Sequence, residues 1–167
     1  RGFTQKGFHL TASGLQLVAV DASFGAQGTN FAVDGVQFHT PLIGEMNLQN
    51  ALAAITAVSA LGFPLARIAE ALRTIPGVPG RMERVSEGQP FTVIVDYAHN
   101  PSSFRALYEA AKLIPHERVI HVFGATGGGR DKGKRSEMGE IAARNANVVI
   151  VTTDDSYDED PAEISAA

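Results

Sequence analysis

The sequence predicts an α/β chain built in two pieces, an antiparallel meander closed by a helix pair and then a parallel sheet covered by helices. Three observations predict it. Residues 1–43 alternate apolar and polar positions between frequent Gly, Thr, Asn and Asp. Residues 47–74 repeat apolar side chains at helical spacing. Beyond Pro76, near-continuous apolar runs alternate with helical stretches, the pattern of parallel strands buried on both faces.

In the first piece, short strands are expected at 8–10, 15–20, 29–33 and 36–40. Asp34-Gly35 joins the last two as a hairpin turn. His9 and His39 fall inside these strands and read as ordinary strand residues. A helix begins at Asn47 and carries Leu48, Ala51, Leu52, Ile55, Val58 and Leu61 on one face until Gly62 ends it. Pro64 suits the first turn of a second helix over 65–74. Pro76-Gly77-Val78-Pro79-Gly80 is the candidate linker. It divides the chain into 1–76 and 77–167.

In the second piece, Phe91–Val95, Val119–Phe123 and Val148–Val151 read as strands, with helices over 102–113 and 135–145 between them. Right-handed crossovers put the carboxyl ends of all three strands on one sheet edge, where ligands bind in such folds. The loops leaving those ends are Asp96–Pro101, Gly124–Arg135 and Thr152–Asp160.

Composition narrows the function. The chain has 167 residues, 44% of them hydrophobic, and a net charge of −4. That is enough apolar material for a real core, and too acidic a balance for a nucleic-acid partner. Cysteine is absent, which excludes disulfides, thiolate metal sites and a cysteine nucleophile and fits a cytoplasmic setting. No apolar run reaches the roughly 18 residues that cross a bilayer, so no membrane partner is expected. Arg1 opens the chain, and Ala167 follows a strand-like run with no closing helix. Both ends are therefore expected to be cut from a longer protein.

The turn Gly124-Ala125-Thr126-Gly127-Gly128-Gly129-Arg130-Asp131-Lys132-Gly133-Lys134-Arg135 is the first candidate site. Glycines let backbone N–H groups approach an anion, and Arg130 offers a planar fork to a carboxylate or phosphate. Gly128, Gly133 and Lys134 fit the phosphate-loop spacing, but Arg135 stands where Ser or Thr would bind magnesium. A flexible basic turn ahead of a helix accounts for the same residues. Asp96 and His99 follow a strand, where a carboxylate suits ribose hydroxyls and a histidine suits a base or phosphate. Alternatively Asp96 caps a helix, although Asn100-Pro101 is the better capping pair and would leave Asp96 free. The acidic run Asp154–Asp160 fails as a calcium loop because Glu159 occupies the position that needs glycine. It remains either a solvated turn or a site where Asp154 and Asp155 receive an amine. Arg81, beside the linker, is either solvated or reaches a nucleotide phosphate.

Taken together these motifs resemble the Mur ligases. Gly44-Glu45-Met46-Asn47-Leu48-Gln49-Asn50-Ala51-Leu52-Ala53-Ala54 resembles that family's G-x-x-N-x-x-N-x-L-A-A segment. Gly80-Arg81-Met82-Glu83, Asp96-Tyr97-Ala98-His99 and Gly129-Arg130-Asp131-Lys132-Gly133-Lys134-Arg135 look most like the branch that adds the third amino acid to the peptidoglycan stem, the MurE type. The resemblance runs from about residue 29 to 164. It implies a P-loop-type central ATPase domain, whose end is 1–76, and a Rossmann-like C-terminal ligase domain, most of which is 77–167. The family's phosphate loop and carbamylated lysine would lie upstream, so no catalytic residue is assigned and this stretch alone is expected to be inactive.

The resemblance further implies ATP and magnesium as cofactors. Its substrates would be UDP-N-acetylmuramoyl-dipeptide and a free diamino acid, and the chemistry an acyl phosphate attacked by the amine, in a cytoplasmic monomer. By motif, Asn47, Asn50, Arg81, Asp96 and His99 would contact ATP. Arg130 would grip the incoming amino acid, and residues Asp154, Asp155, Ser156 and Tyr157 would select it. No metal ligand is expected in this stretch. The family's Asp-Asn-Pro-Arg motif is replaced here by Asp154-Asp155-Ser156-Tyr157. Tyr157 cannot form the charged bidentate pair that Arg would, so lysine or another diamine is expected over diaminopimelate. The alternative ligase is a folylpolyglutamate synthetase, favoured by Ala98-His99-Asn100-Pro101. The alternative outside enzymes is a nucleotide- or amino-acid-binding module.

Overall fold

The computed structural model describes residues 8–12 and 15–167, with side chains described from Gln16 onward. Arg1 and the other residues of 1–7, residues 13–14 and the side chain of His9 lie outside that description. The chain divides into two compact units, 1–96 and 97–167.

In the first unit, strands β1 (Phe8–Ala12), β2 (Leu15–Gly25), β3 (Gly28–Val33) and β4 (Val36–Thr40) form an antiparallel sheet in chain order. Asp34 and Gly35 make the tight turn between β3 and β4, with φ of 46° and 78°. Phe31 pairs with Phe38 across this hairpin, and their rings stack at 5.3 Å. His39 bonds Asn30, its cross-strand neighbour, through Nδ1 at 2.9 Å. The strand β2 runs five residues past its expected end because it bends: the ladder to β3 shifts between Val20 and Ser23, and Asp21 adopts φ 54°.

The helices α1 (Glu45–Ala60) and α2 (Leu65–Arg73) pack on the sheet. Their apolar stripe joins Leu48, Ala51, Leu52, Ile55, Ala69 and Leu72 to Leu17, Ala19, Phe31, Val33 and Phe38 in one core. Helix α1 starts two residues before Asn47, because Gly44 supplies the N-cap at φ 93°. Pro64 is the N-cap of α2. A short antiparallel pair, β5 (Glu83–Val85) and β6 (Val93–Val95), follows.

Here the structure corrects the expected three-stranded parallel sheet. Among the described residues the ladder partner of β6 is β5, a three-residue strand too short to carry a periodic signal. The parallel pairing holds for β7 (Ile120–Phe123) and β8 (Val148–Val151), in the second unit. Helices α3 (Pro101–Ala111) and α4 (Gly133–Asn145) precede and follow β7. Phe104, Tyr108, Met138 and Ile141 form the buried core between them, with Phe123 packed against it. His121 lies in this core, its Nδ1 2.6 Å from the Tyr108 hydroxyl. Burial lowers the imidazole pKa and raises the phenol to about 12.

The sheet is not covered on both faces as expected. Ile120, Val122 and Ile150 alternate with inward-facing residues and stay about half exposed. The chain also does end in a helix, α5 (Pro161–Ala166), contrary to expectation. Asp160 caps it by accepting from Ala162 N–H at 2.8 Å, and its Ile164 is buried.

Candidate functional site

Register builds the site. Phe123 pairs with Val151 as the last residues of the parallel strands, and Thr152 N–H donates to Phe123 C=O at 2.9 Å. The loops 124–132 and 152–160 therefore leave the sheet side by side, at the carboxyl edge where α/β folds bind ligands.

They stay in contact along their length. Gly127 N–H donates to Asp155 C=O at 2.8 Å, and the Thr126 hydroxyl donates to Asp154 Oδ2 at 3.0 Å. A Cβ on Gly124 would stand 2.8 Å from Thr152 O, and one on Gly127 would stand 2.1 Å from Ser156 O. One on Gly128, at φ 69°, would meet the Tyr157 ring at 2.9 Å. These glycines are thus required by loop-on-loop approach. The Gly127 N–H is thereby spent on Asp155 and is not offered to an anion. Gly133 N–H likewise donates to Asp131 Oδ1, at 2.9 Å, as α4 begins.

Sequence reasoning missed the charges that tie these loops. Arg135, 5% exposed, donates from both terminal nitrogens to Glu159 at 3.0 and 3.1 Å and also to Thr126 C=O at 3.2 Å. Lys132 adds a contact to Glu159 at 2.9 Å. Hydrogen bonds from Arg135 and then Lys132 pull the Glu159 carboxyl down to about 2. The pair lies 24 residues apart, so no local spacing reveals it. Two signals touched them: Arg135 closes the family segment Gly129–Arg135, and Arg135 and Glu159 misfit the phosphate-loop and calcium-loop positions they occupied.

Around this clamp, Arg130, Asp154, Asp155 and Tyr157 are exposed and Ser156 is half-buried. Tyr157 adopts φ 53° with its ring over Gly128. The loops thus offer a cation, carboxylates and an aromatic ring from neighbouring backbones, a set that complements a zwitterion.

The expected nucleotide residues fall differently. Asn47 is 1% exposed, and its amide donates to Ile43 C=O at 2.9 Å while its Oδ1 receives Asn50 Nδ2 at 3.4 Å. Asn50 is exposed. Asp96 is not left free: its Oδ2 accepts Met82 N–H at 2.8 Å, holding that residue at φ 50° beside exposed Arg81. These four residues belong to the first unit and His99 to the second. His99 is exposed, bonds Tyr97 C=O through Nδ1 at 2.9 Å and meets the Tyr97 ring edge-on at 5.2 Å. Asn100 and Pro101 start α3 as expected, in a capping box with Ser103. Asn50, Arg81 and His99 present polar or aromatic groups that suit a nucleotide, whereas Asn47 and Asp96 are committed to the protein. Among the described residues no three His, Asp or Glu side chains gather as metal ligands.

Residues 80–167 match the family model "Mur ligase, glutamate ligase domain". The chain belongs to the Mur ligase family. It is 46% identical over 162 residues to a UDP-N-acetylmuramoyl-L-alanyl-D-glutamate--2,6-diaminopimelate ligase of Prochlorococcus marinus, covering 93% of this chain and 31% of that protein. It is 50% identical over 125 residues to a UDP-N-acetylmuramyl-tripeptide synthetase of Roseiflexus, covering 75% of this chain and 24% of that one. A solved UDP-N-acetylmuramoylalanyl-D-glutamyl-2,6-diaminopimelate--D-alanyl-D-alanyl ligase from Acinetobacter baumannii shares the fold with a TM-score of 0.70. It is 25% identical, over 84% of this chain and 32% of that structure. The chain thus spans about a third or less of the curated relatives it matches. Among the described residues no helix is long and apolar enough to cross a membrane.

Proposed function

We propose that this chain is part of an ATP-dependent amide-bond ligase that adds the third amino acid to UDP-N-acetylmuramoyl-L-Ala-D-Glu in peptidoglycan precursor synthesis. The observation that carries the reading is the paired-loop edge. Arg130 is exposed on one loop and Asp154, Asp155 and Tyr157 on its neighbour, in a chain whose relatives are named for this chemistry. The names of those relatives also weigh against the folate ligase.

In this reading residues 1–76 end the central ATPase domain and 77–167 form most of the ligase domain. Asn50, Arg81 and His99 contact ATP directly, and Asn47 and Asp96 shape the backbone beside them. Bound ATP supplies the phosphoryl group that activates the substrate carboxylate. Arg130 forms a charge-assisted fork with the α-carboxylate of the incoming amino acid, and Asp154 and Asp155 receive its distal ammonium group, leaving the other amine to attack the acyl phosphate as phosphate departs. Catalysis then rests on positioning. No step is assigned here to magnesium. Residues 1–167 alone are inactive, and the full-length protein acts as a cytoplasmic monomer.

The loop 152–160 contains no Arg or Lys, and Tyr157 stands where the family has the arginine of its selecting motif. A second carboxylate on the incoming amino acid therefore lacks a charged partner from that loop. Lysine or another diamine fits better than diaminopimelate. Phosphate release by the full-length protein tests both points, with ATP, magnesium, UDP-N-acetylmuramoyl-L-Ala-D-Glu and lysine, ornithine, diaminopimelate or glutamate in turn. The expected result is release that needs the nucleotide-peptide and is fastest with lysine or ornithine. Selective use of diaminopimelate overturns the specificity. Release only with a folate and glutamate moves the protein to the folate branch, and silence throughout favours the binding module.

A further inference from the structure

The loop expected to select the amino acid has little of its own to hold its shape. Asp154, Asp155 and Tyr157 are exposed, and Tyr157 sits in a left-handed backbone conformation. Between Thr152 and the α5 cap no side chain is fully buried, and the one aromatic contact is the exposed Tyr157 ring over Gly128. What fixes the segment is its neighbour, through the Gly127–Asp155 and Thr126–Asp154 hydrogen bonds and the two-pronged Arg135–Glu159 pair. The pair differs from the other two because one buried guanidinium grips both loops at once, Glu159 on one side and Thr126 C=O on the other. It is also seated on α4, so the loops are referred to a rigid element.

Resting on the ligase reading above, we infer that Glu159, through Arg135, is a positioning residue for amino-acid selection: it sets the place of residues 154–157 over the glycine turn without touching the substrate. The geometry has a specific consequence. A charged fork fixes direction as well as distance, so removing the charge from Glu159 loosens the selecting loop from the Arg135 fork and from Lys132. Misplacement by about 1 Å in such a site costs up to about a hundredfold. Its effect belongs to the amino acid and not to ATP or the nucleotide-peptide, because the clamp joins the loop that carries Arg130 to the loop that carries Asp154, Asp155 and Tyr157.

The test uses the full-length protein with Glu159→Gln, the milder Glu159→Asp, and Glu140→Gln as a matched loss of an exposed carboxylate paired only within α4. Initial rates give separate KM values for amino acid, ATP and nucleotide-peptide. Amide hydrogen exchange at Gly127 reports whether the loops stay together. The expected result for Glu159→Gln is an amino-acid KM raised about ten- to a hundredfold. The other two KM values should stay within about twofold, Gly127 exchange should be faster, and Glu159→Asp should fall between wild type and Gln. Glu140→Gln should match wild type. An unchanged amino-acid KM in an active Glu159→Gln protein overturns the inference and leaves the ligase reading intact. Three KM values raised alike also overturn it, as general loosening. A wild type silent with every amino acid overturns the ligase reading and this inference with it. If Glu159→Gln fails to fold, the Asp variant decides by the same readings.

Discussion

The first turn of α1 and the paired loops beyond β7 and β8 both carry family motif residues, yet they use them in opposite ways. In α1 the motif side chain itself is buried. Asn47 spends its amide on Ile43 C=O beneath the helix start, while Asn50, the second motif asparagine, reaches the surface. In the loops the motif side chains Arg130, Asp154, Asp155 and Tyr157 stay exposed, and the interior is filled by glycine backbone and one Arg–Glu pair. A motif position thus reports that a residue type is needed, while burial decides whether the need arises from a ligand or from the fold. Asp96 is half-buried and binds Met82 N–H through one carboxylate oxygen.

The largest break in this contrast should come from glycine. Gly127→Ala pushes a Cβ to 2.1 Å from Ser156 O, and should cost about 3 kcal/mol as overpacking against backbone. Gly139→Ala, inside α4 with nothing within 4 Å of its Cβ, should gain about 0.5–1 kcal/mol from helix propensity alone. Urea unfolding of the two variants side by side checks the difference. Equal stabilities would mean that the loops do not depend on their close approach.

Asn47 sharpens the other half. Asn47→Ala leaves Ile43 C=O without its partner at a buried site, and should lower stability by about 2 kcal/mol with no nucleotide present. Thermal unfolding of the ligand-free protein measures it. A loss seen only with ATP bound would return Asn47 to the ligand.

The smallest effect is acid sensitivity. The Glu159 carboxyl lies at about 2 in the folded chain against an ordinary 4.5. A depressed carboxyl contributes stability that is complete above its unfolded value and declines as pH falls through the folded one. The stability gap between wild type and Glu159→Gln should therefore be flat from pH 5 to 8 and shrink between about 4.5 and 2. Unfolding midpoints across pH read this directly, and a gap that narrows already at pH 6 contradicts the clamp.

Much of this was legible in the residues. Asp34-Gly35 announced its hairpin, Asn100-Pro101 its helix start, and the helical stripe from Leu48 to Ile55 its core face, because each depends on neighbours close in sequence; the expected stripe ran on to Leu61, which is exposed beyond the helix end. The β5 strand was invisible for want of length, and α5 because six residues at the end of an acidic run show no period. The reason for Gly124, Gly127 and Gly128 could not be read either. Glycine marks a close approach without naming what approaches, and here the partner arrives from the loop after another strand, backbone for Gly124 and Gly127 and the Tyr157 ring for Gly128. Arg135 and Glu159 were hidden for the same cause: strand register, not spacing, brings them together.

The matched ends of β7 and β8 carry a constraint on change over time. Since Phe123 and Val151 leave the sheet level with each other, Gly127 meets Ser156 only if each loop spends the right number of residues getting there. An insertion in one loop displaces every contact beyond it. Lengths on the two sides should therefore drift in concert among related chains, a one-residue gain before Gly127 being accompanied by compensating change before Ser156. Substitutions at Asp155, which alter no length and leave its C=O in place for Gly127, should accumulate more freely.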